Sequence, residues 1–226
     1  MTMEAVICAP MRTPVGRFGG VFKDLSAHQL GATVVRALLE RTQLPPNVVD
    51  DVLFAQCYPS MDAPALGRVV GLDAGLPITI GGLQLDRRCG SGLQAIAYAV
   101  MQVATGASRV VIAGGAESMS NAPFYSTGLR WGAKGDSMNF ADALSRGRVT
   151  AGGKNFPVPG GMIETAENLR REYRISRQEQ DEFSARSHQR AVAAQTEGRF
   201  SEAIVPVEVP GAKGITLVSA DEHPRP

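Results

Sequence analysis

Short runs that are apolar on both faces alternate along the chain with segments whose apolar positions recur every three or four residues. That alternation predicts buried strands covered by helices. Residues 4–9 are the first such run, ending before Pro10 and the break at Arg12-Thr13-Pro14, and they read as a buried first strand. Ser26-Ala27-His28-Gln29 has the spacing of a capping box, and Leu30, Val34, Ala37 and Leu38 continue at helical intervals to about Arg41. Pro45-Pro46 stop that helix. Residues 48–55 read as a helical turn and a second strand, and residues 66–72 as another helix stopped near Gly75 and Pro77. Residues 82–85 run into Cys89-Gly90-Ser91-Gly92, after which Leu93, Ile96, Ala97, Val100, Met101 and Ala104 form a stripe closing at Gly106. Residues 110–113, apolar throughout, follow as a strand of a covered parallel sheet. An α/β layered domain is predicted up to residue 118.

The pattern changes from about Ser120. Glycine, serine, asparagine and proline become frequent, Trp131 sits in a polar stretch, and Gly152-Gly153 and residues 157–161 punctuate the chain. A boundary here gives one domain over 1–118 and a second over 119–226. In the second, residues 164–174 predict a charged helix, and Ser176-Arg177-Gln178-Glu179 is a capping box opening a long helix that ends at Gly198. Residues 204–209 and 215–219 alternate like a strand pair around Pro210-Gly211.

Composition narrows the class. Lys and Arg number 23 and Asp and Glu 22, so no strong overall field exists to draw nucleic acid or an anionic membrane, and an anionic ligand must be held locally. No stretch reaches the roughly 18 apolar residues of a membrane span, and the first residues lack the plan of a secretory signal, so a cytoplasmic protein is expected. Cys8, Cys57 and Cys89 are odd in number with no C-x-x-C pair, which suggests neither a disulfide scaffold nor a metal site.

Cys89 is the candidate nucleophile. It lies between a strand and the first turn of a helix, where the chain reverses and a side chain is held outward. Amide donors and the positive dipole end of the helix favour a thiolate there and can bind an oxyanion, while Gly90 and Gly92 let a bulky group approach the backbone. Cys8, inside an apolar run, and Cys57, at a strand end before Pro59, read as small core residues. Arg87 and Arg88 flank the nucleophile and could orient an anionic group, although surface charge is the plainer reading. Glu117 reads as a hydrogen-bonded structural carboxylate or an active-site one. Lys134, Arg146, Arg148 and Lys154 lie where an anionic ligand could be met, again with solvated surface as the plainer reading.

Three stretches carry a family resemblance. Asp86-Arg87-Arg88-Cys89-Gly90-Ser91-Gly92-Leu93-Gln94-Ala95 resembles the thiolase segment around the acylated cysteine, Gly114-Gly115-Ala116-Glu117-Ser118-Met119-Ser120 that family's second hallmark, and Arg12-Thr13-Pro14-Val15-Gly16 its opening. The similarity continues through Thr165-Ala166-Glu167-Asn168 and Asp181-Glu182-Phe183 to Asp221-Glu222. The resemblance implies a layered α/β/α half, matched by 1–118, with an inserted loop domain, 119–226, that covers coenzyme A. It implies acyl transfer through an acyl-Cys89 on acetyl-CoA or 3-ketoacyl-CoA, by thiolysis or Claisen condensation, with no cofactor beyond coenzyme A thioesters. Assembly as a homodimer or homotetramer is implied as well.

The family also uses a histidine in Gly-His-Pro and a second cysteine in Cys-x-Gly-Gly-Gly, both in a C-terminal half, and neither motif occurs in these 226 residues. The resemblance therefore implies a fragment that is inactive alone and whose partner is the missing half. His28 and His188 fall on helices and His223 in a tail, and none reads as a base. Near the pantetheine, many biosynthetic thiolases have His-Met-Gly-x-Thr-Ala-Glu where this chain has Gly161-Met162-Ile163-Glu164-Thr165-Ala166-Glu167. Met162 matches and is the candidate substrate-binding residue. Gly161 and Ile163 depart, which points to a different or longer acyl chain than acetoacetyl. Two other readings stay open: a non-catalytic coenzyme A-binding or assembly module, and a ketoacyl synthase-like condensing enzyme.

Overall fold

The computed structural model describes residues 4–132, 135 and 137–225. In chain order its elements are α1 (Ala27–Thr42), β1 (Asp51–Ala55), α2 (Leu66–Asp73), β2 (Leu83–Leu85), α3 (Ser91–Thr105) and β3 (Val111–Gly115). There follow β4 (Phe124–Tyr125), β5 (Ala141–Asp142), α4 (Ala143–Thr150), α5 (Gly161–Glu172), α6 (Arg177–Thr196), β6 (Val207–Gly211) and β7 (Gly214–Val218). The class is mixed α/β. The chain divides into two compact units, residues 1–121 with 198–223, and residues 122–197 with 224–226.

The first unit is built on a parallel sheet in the order β2-β1-β3. β1 is central, and its period of two sends neighbours to opposite faces. Val52 and Phe54 join Val35, Leu39, Leu66 and Val70 in a core with α1 and α2, while Leu53, fully buried, lies outside that cluster on the side where α3 packs against β1 and β3. Gly67 on α2 explains how closely that helix lies on the sheet: a Cβ there would sit 2.2 Å from the Val52 carbonyl oxygen. Both capping boxes form as the spacing predicts, with Ser26 and Gln29 opening α1 and Ser176 and Glu179 opening α6. Gly106, left-handed at φ 77, closes α3.

Three expectations change. Residues 4–9 form no strand, and Val6 and Ile7 stand 76% and 71% exposed, with Cys8 exposed beside them rather than in a core. A strand exists only with a hydrogen-bonded neighbour, and no described strand lies alongside this run, so its β-branched residues have nothing to pair with. Second, residues 198–223 belong to the first unit, not to a region running unbroken from 119 to 226. The hairpin β6–β7 inserts Val207 among Phe22, Leu25 and Leu30, Arg12 exchanges backbone hydrogen bonds with Ala203 and Val205 at 2.9 and 2.8 Å, and Arg12 grips Asp221 through Nη1 and Nη2 at 2.6 and 2.9 Å. Third, the stretch after Ser120 contains the two-residue pairing β4–β5 and the short helix α4, too brief to show a period.

The predicted apolar stripe of α3 is only partly covered: Leu93, Val100 and Met101 are exposed and Ile96, Ala97 and Ala104 half-buried, while Ala95, outside the stripe, is the apolar residue of this helix that is buried. No helix among the described residues is long and apolar enough to cross a membrane.

Candidate active site

Strand β2 ends at Leu85, and the five residues that follow, 86–90, reverse the chain into α3. Gly90 is the N-cap residue of α3, so Cys89 sits immediately outside the helix and is exposed. The turn is closed by its own backbone, with Gly90 N–H donating to Arg87 O at 3.1 Å and Ser91 N–H to Arg88 O at 2.9 Å. The Ser91 side chain, buried at 3% exposure, staples the same turn: its hydroxyl accepts the Arg87 N–H at 2.6 Å and donates to Arg88 O at 2.7 Å. Asp86 Oδ1 accepts the Arg88 N–H at 2.8 Å. Asp86 and Ser91 together hold the turn that carries Cys89. A Cβ on Gly92 would meet nothing within 4 Å, so open space adjoins the first turn of α3. An exposed thiol beside helix N-terminal donors, with room for a bulky reactant, is suited to attack on a carbonyl carbon.

The loop after β1 flanks this turn. Glu117, just past β3, accepts the Cys57 N–H through Oε2 at 2.7 Å, and its Oε1 is buried without a hydrogen-bond partner among the described residues. Burial holds the Glu117 carboxyl above its usual range, opposed by the amides of Cys57 and Tyr58. Its main visible task is therefore structural, holding residues 57 and 58 against the end of β3. Cys57 is half-buried, and burial pushes its thiol up, with Glu117 and Asp86 adding to the effect and Ser91 and Arg88 opposing it. A thiol kept protonated is a poor nucleophile, which argues against Cys57 as an acyl acceptor. The Arg88 guanidinium donates to Cys57 O at 2.8 Å, and Arg87 turns instead to Gln94 on α3.

The other sequence candidates are carried by other elements. Met162 is the second residue of α5 in the second unit and is 70% exposed. Gly161 before it is buried at φ 59. Arg146 lines an open cavity of about 610 Å³ with Tyr125, Met138 and Phe140 in the same unit; Arg148 and Lys154 are exposed, and Lys134 lies outside the described residues. His28 is on α1 with both ring nitrogens within 3.2 Å of Ser26 Oγ. His188 on α6 accepts the Arg225 N–H at 3.2 Å. His223 is exposed at the end of the first unit. Neither His28 nor His223 is among the groups that build the Cys89 turn.

Residues 5–226 match the model of the thiolase N-terminal domain family. The chain belongs to the thiolase family. It is 40% identical, over 98% of its length and 55% of the relative's, to a protein of Staphylococcus epidermidis named "Probable acetyl-CoA acyltransferase". Over 100% of its length and 56% of the relative's it is 40% identical to the beta-ketothiolase BktB of Cupriavidus necator. The crystal structure of the Bacillus anthracis acetyl-CoA acetyltransferase superposes with a TM-score of 0.91, at 36% identity, covering 99% of this chain and 56% of that one. This thiolase chain thus spans about half the length of the curated relatives it matches.

Proposed function

We propose that Cys89 is the acyl acceptor of a thiolase-type transferase acting on coenzyme A thioesters. The observation that carries the reading is the exposed thiol on a stapled turn at the N-terminus of α3, in a chain of the thiolase family. With acetyl-CoA, Cys89 Sγ attacks the thioester carbonyl, the carbonyl–sulfur bond to coenzyme A breaks, and the coenzyme leaves as a thiol. In thiolysis the same sulfur attacks the 3-keto carbon, the bond to C2 breaks, and acetyl-CoA leaves once its carbanion is protonated. The acyl group then passes to coenzyme A in thiolysis, or to the C2 carbanion of a second acetyl-CoA in condensation.

Neither a Gly-His-Pro histidine nor a Cys-x-Gly-Gly-Gly cysteine occurs in this chain, so the base for Cys89 and the group that handles the substrate proton come from a second half. Met162, apolar and exposed at the start of α5, contacts the pantetheine-side of the substrate in this reading, and Gly161 and Ile163 shape acyl preference. No metal or organic cofactor is used beyond coenzyme A. The protein works in the cytoplasm as a homodimer or homotetramer, and the exposed residues of α3 favour association.

Losing general acid–base help costs about 10²–10⁴ in rate and losing one oxyanion donor about 10²–10³, so residues 1–226 alone stay near background in a thiolysis assay. Adding a separately supplied second half restores turnover, and Cys89→Ala abolishes it. Turnover that survives Cys89→Ala would refute the assignment; substantial turnover by residues 1–226 alone would move the base to a residue of this chain.

A further inference from the structure

Arg88 adopts φ 51, a left-handed conformation disfavoured for any residue with a Cβ, and Cys89 is the next residue. Its backbone is held there from both sides, by Asp86 Oδ1 on its N–H at 2.8 Å and by the Ser91 hydroxyl on its carbonyl at 2.7 Å. Its side chain leaves the turn. The guanidinium donates to Cys57 O at 2.8 Å, lies 3.5 Å from Asp86 Oδ2 and stands over the Tyr58 ring at 5.8 Å from its centroid. The segment it reaches is itself fixed, because Glu117 accepts the Cys57 N–H at 2.7 Å.

We infer that Arg88 is a positioning residue for acyl transfer: it ties the turn that carries Cys89 to residues 57 and 58, and so fixes the thiol at the N-terminus of α3. The inference rests on reading Cys89 as the nucleophile. The planar guanidinium fork makes the arrangement possible, since it meets a carbonyl, a carboxylate and a ring face at once, which a lysine ammonium on a flexible stem cannot. Around the turn the charged groups are Asp86, Arg87, Arg88 and Glu117, and Arg87 points along α3 to Gln94. Arg88 is the one of the two arginines that crosses to the neighbouring loop.

Two variants of the 226-residue chain separate the contributions. Arg88→Gly suits the positive φ and removes the whole side chain without adding backbone strain; Arg88→Lys keeps the charge without the fork. Iodoacetamide labelling of each cysteine is followed by peptide mapping at about pH 7 and at about pH 10, where ordinary thiols are largely ionised. In Arg88→Gly, Cys89 labelling slows about five- to tenfold at the lower pH and comes within about twofold of the parent at the higher one, with Cys8 unchanged. Arg88→Lys recovers less than half of the loss. Labelling of Arg88→Gly within about twofold of the parent at both pH values overturns the inference. So does complete rescue by lysine, which would make charge alone sufficient, and so does a slowing that persists at the higher pH, which would be lost access. Failure of the nucleophile reading itself looks different: Cys89 of the parent chain would label no faster than Cys8.

Discussion

Replacing Asp221 by Ala removes the group that joins the end of the hairpin segment to the start of the chain. Its carboxylate accepts hydrogen bonds from Arg12 Nη1 and Nη2 at 2.6 and 2.9 Å and from the Val15 N–H at 2.8 Å. Truncation leaves those donors without their acceptor, and hydrogen bonds to charged groups are worth about 1.5–3 kcal/mol. Water recovers part of that, because the Arg12 side chain is 35% exposed, against 12% for Asp221, and Arg12 keeps its bond to Thr13 O and its place over the Phe200 ring. The net loss is about 2 kcal/mol, or roughly 4–8 °C in Tm for a chain of this size. The pH dependence follows from the ion pair. Hydrogen bonding to Arg12 holds the Asp221 carboxyl below its usual range, aided by the Val15 amide and opposed by burial. A depressed carboxyl contributes fully above its unfolded value of about 3.9, and its contribution disappears as pH falls through the lower folded value. Thermal melts of parent and Asp221→Ala should therefore differ at about pH 7 and converge in strong acid. A loss under about 0.5 kcal/mol near neutrality, or an equal gap in acid, would refute the reasoning.

Gly67→Ala should destabilise by about 2–3 kcal/mol, because the new Cβ meets the Val52 and Leu83 carbonyl oxygens at 2.2 and 2.6 Å. Ala is the better helix former by about 1 kcal/mol, so an unchanged or raised denaturation midpoint would show that α2 does not lie as close to the sheet as described. Gly161→His in a full-length enzyme should move kcat/KM toward acetoacetyl-CoA relative to longer 3-ketoacyl chains, at a stability cost of roughly 1–2 kcal/mol for a side chain at positive φ. That position has φ 59, with the Arg148 Cβ 3.3 Å from the new Cβ. An unchanged ratio of the two specificity constants would remove Gly161 from the determinants of acyl length.

Where the chain encodes structure locally, the sequence shows it. Ser26-to-Gln29 and Ser176-to-Glu179 announce α1 and α6 because both partners of each capping box lie within four residues. The Cys89 turn is equally local, bounded by a strand, glycines and an apolar helical stripe. What escaped sequence reading depends on distant partners. Residues 4–9 have the composition of a strand but no described neighbour to pair with, so Val6 and Ile7 remain exposed. The return of residues 198–223 to the first unit rests on Arg12 meeting Asp221 and Arg17 meeting Glu222, contacts across about 200 residues that no periodicity records. These ion pairs also give the Arg12-to-Gly16 opening and the Asp221-Glu222 pair a structural purpose. Around Cys89, the bond from Arg88 to Cys57 O and that from Glu117 to Cys57 N–H span 31 and 60 residues. The motifs single out Cys89, Arg88 and Glu117, but not that Arg88 and Glu117 both reach Cys57, nor that Asp86 and Ser91 close the turn.

Competitive alkylation of the three cysteines in the folded chain tests the central claim most directly. Cys8 and Cys89 are both exposed and Cys57 is half-buried, so accessibility by itself predicts equal labelling of the first two and slower labelling of the third. If the N-terminus of α3 activates Cys89, substoichiometric iodoacetamide at neutral pH places label on Cys89 several times faster than on Cys8, and last on Cys57, whose thiol burial keeps protonated. Equal rates at Cys8 and Cys89, or label appearing first on Cys57, would contradict the assignment of Cys89 as the acylated residue.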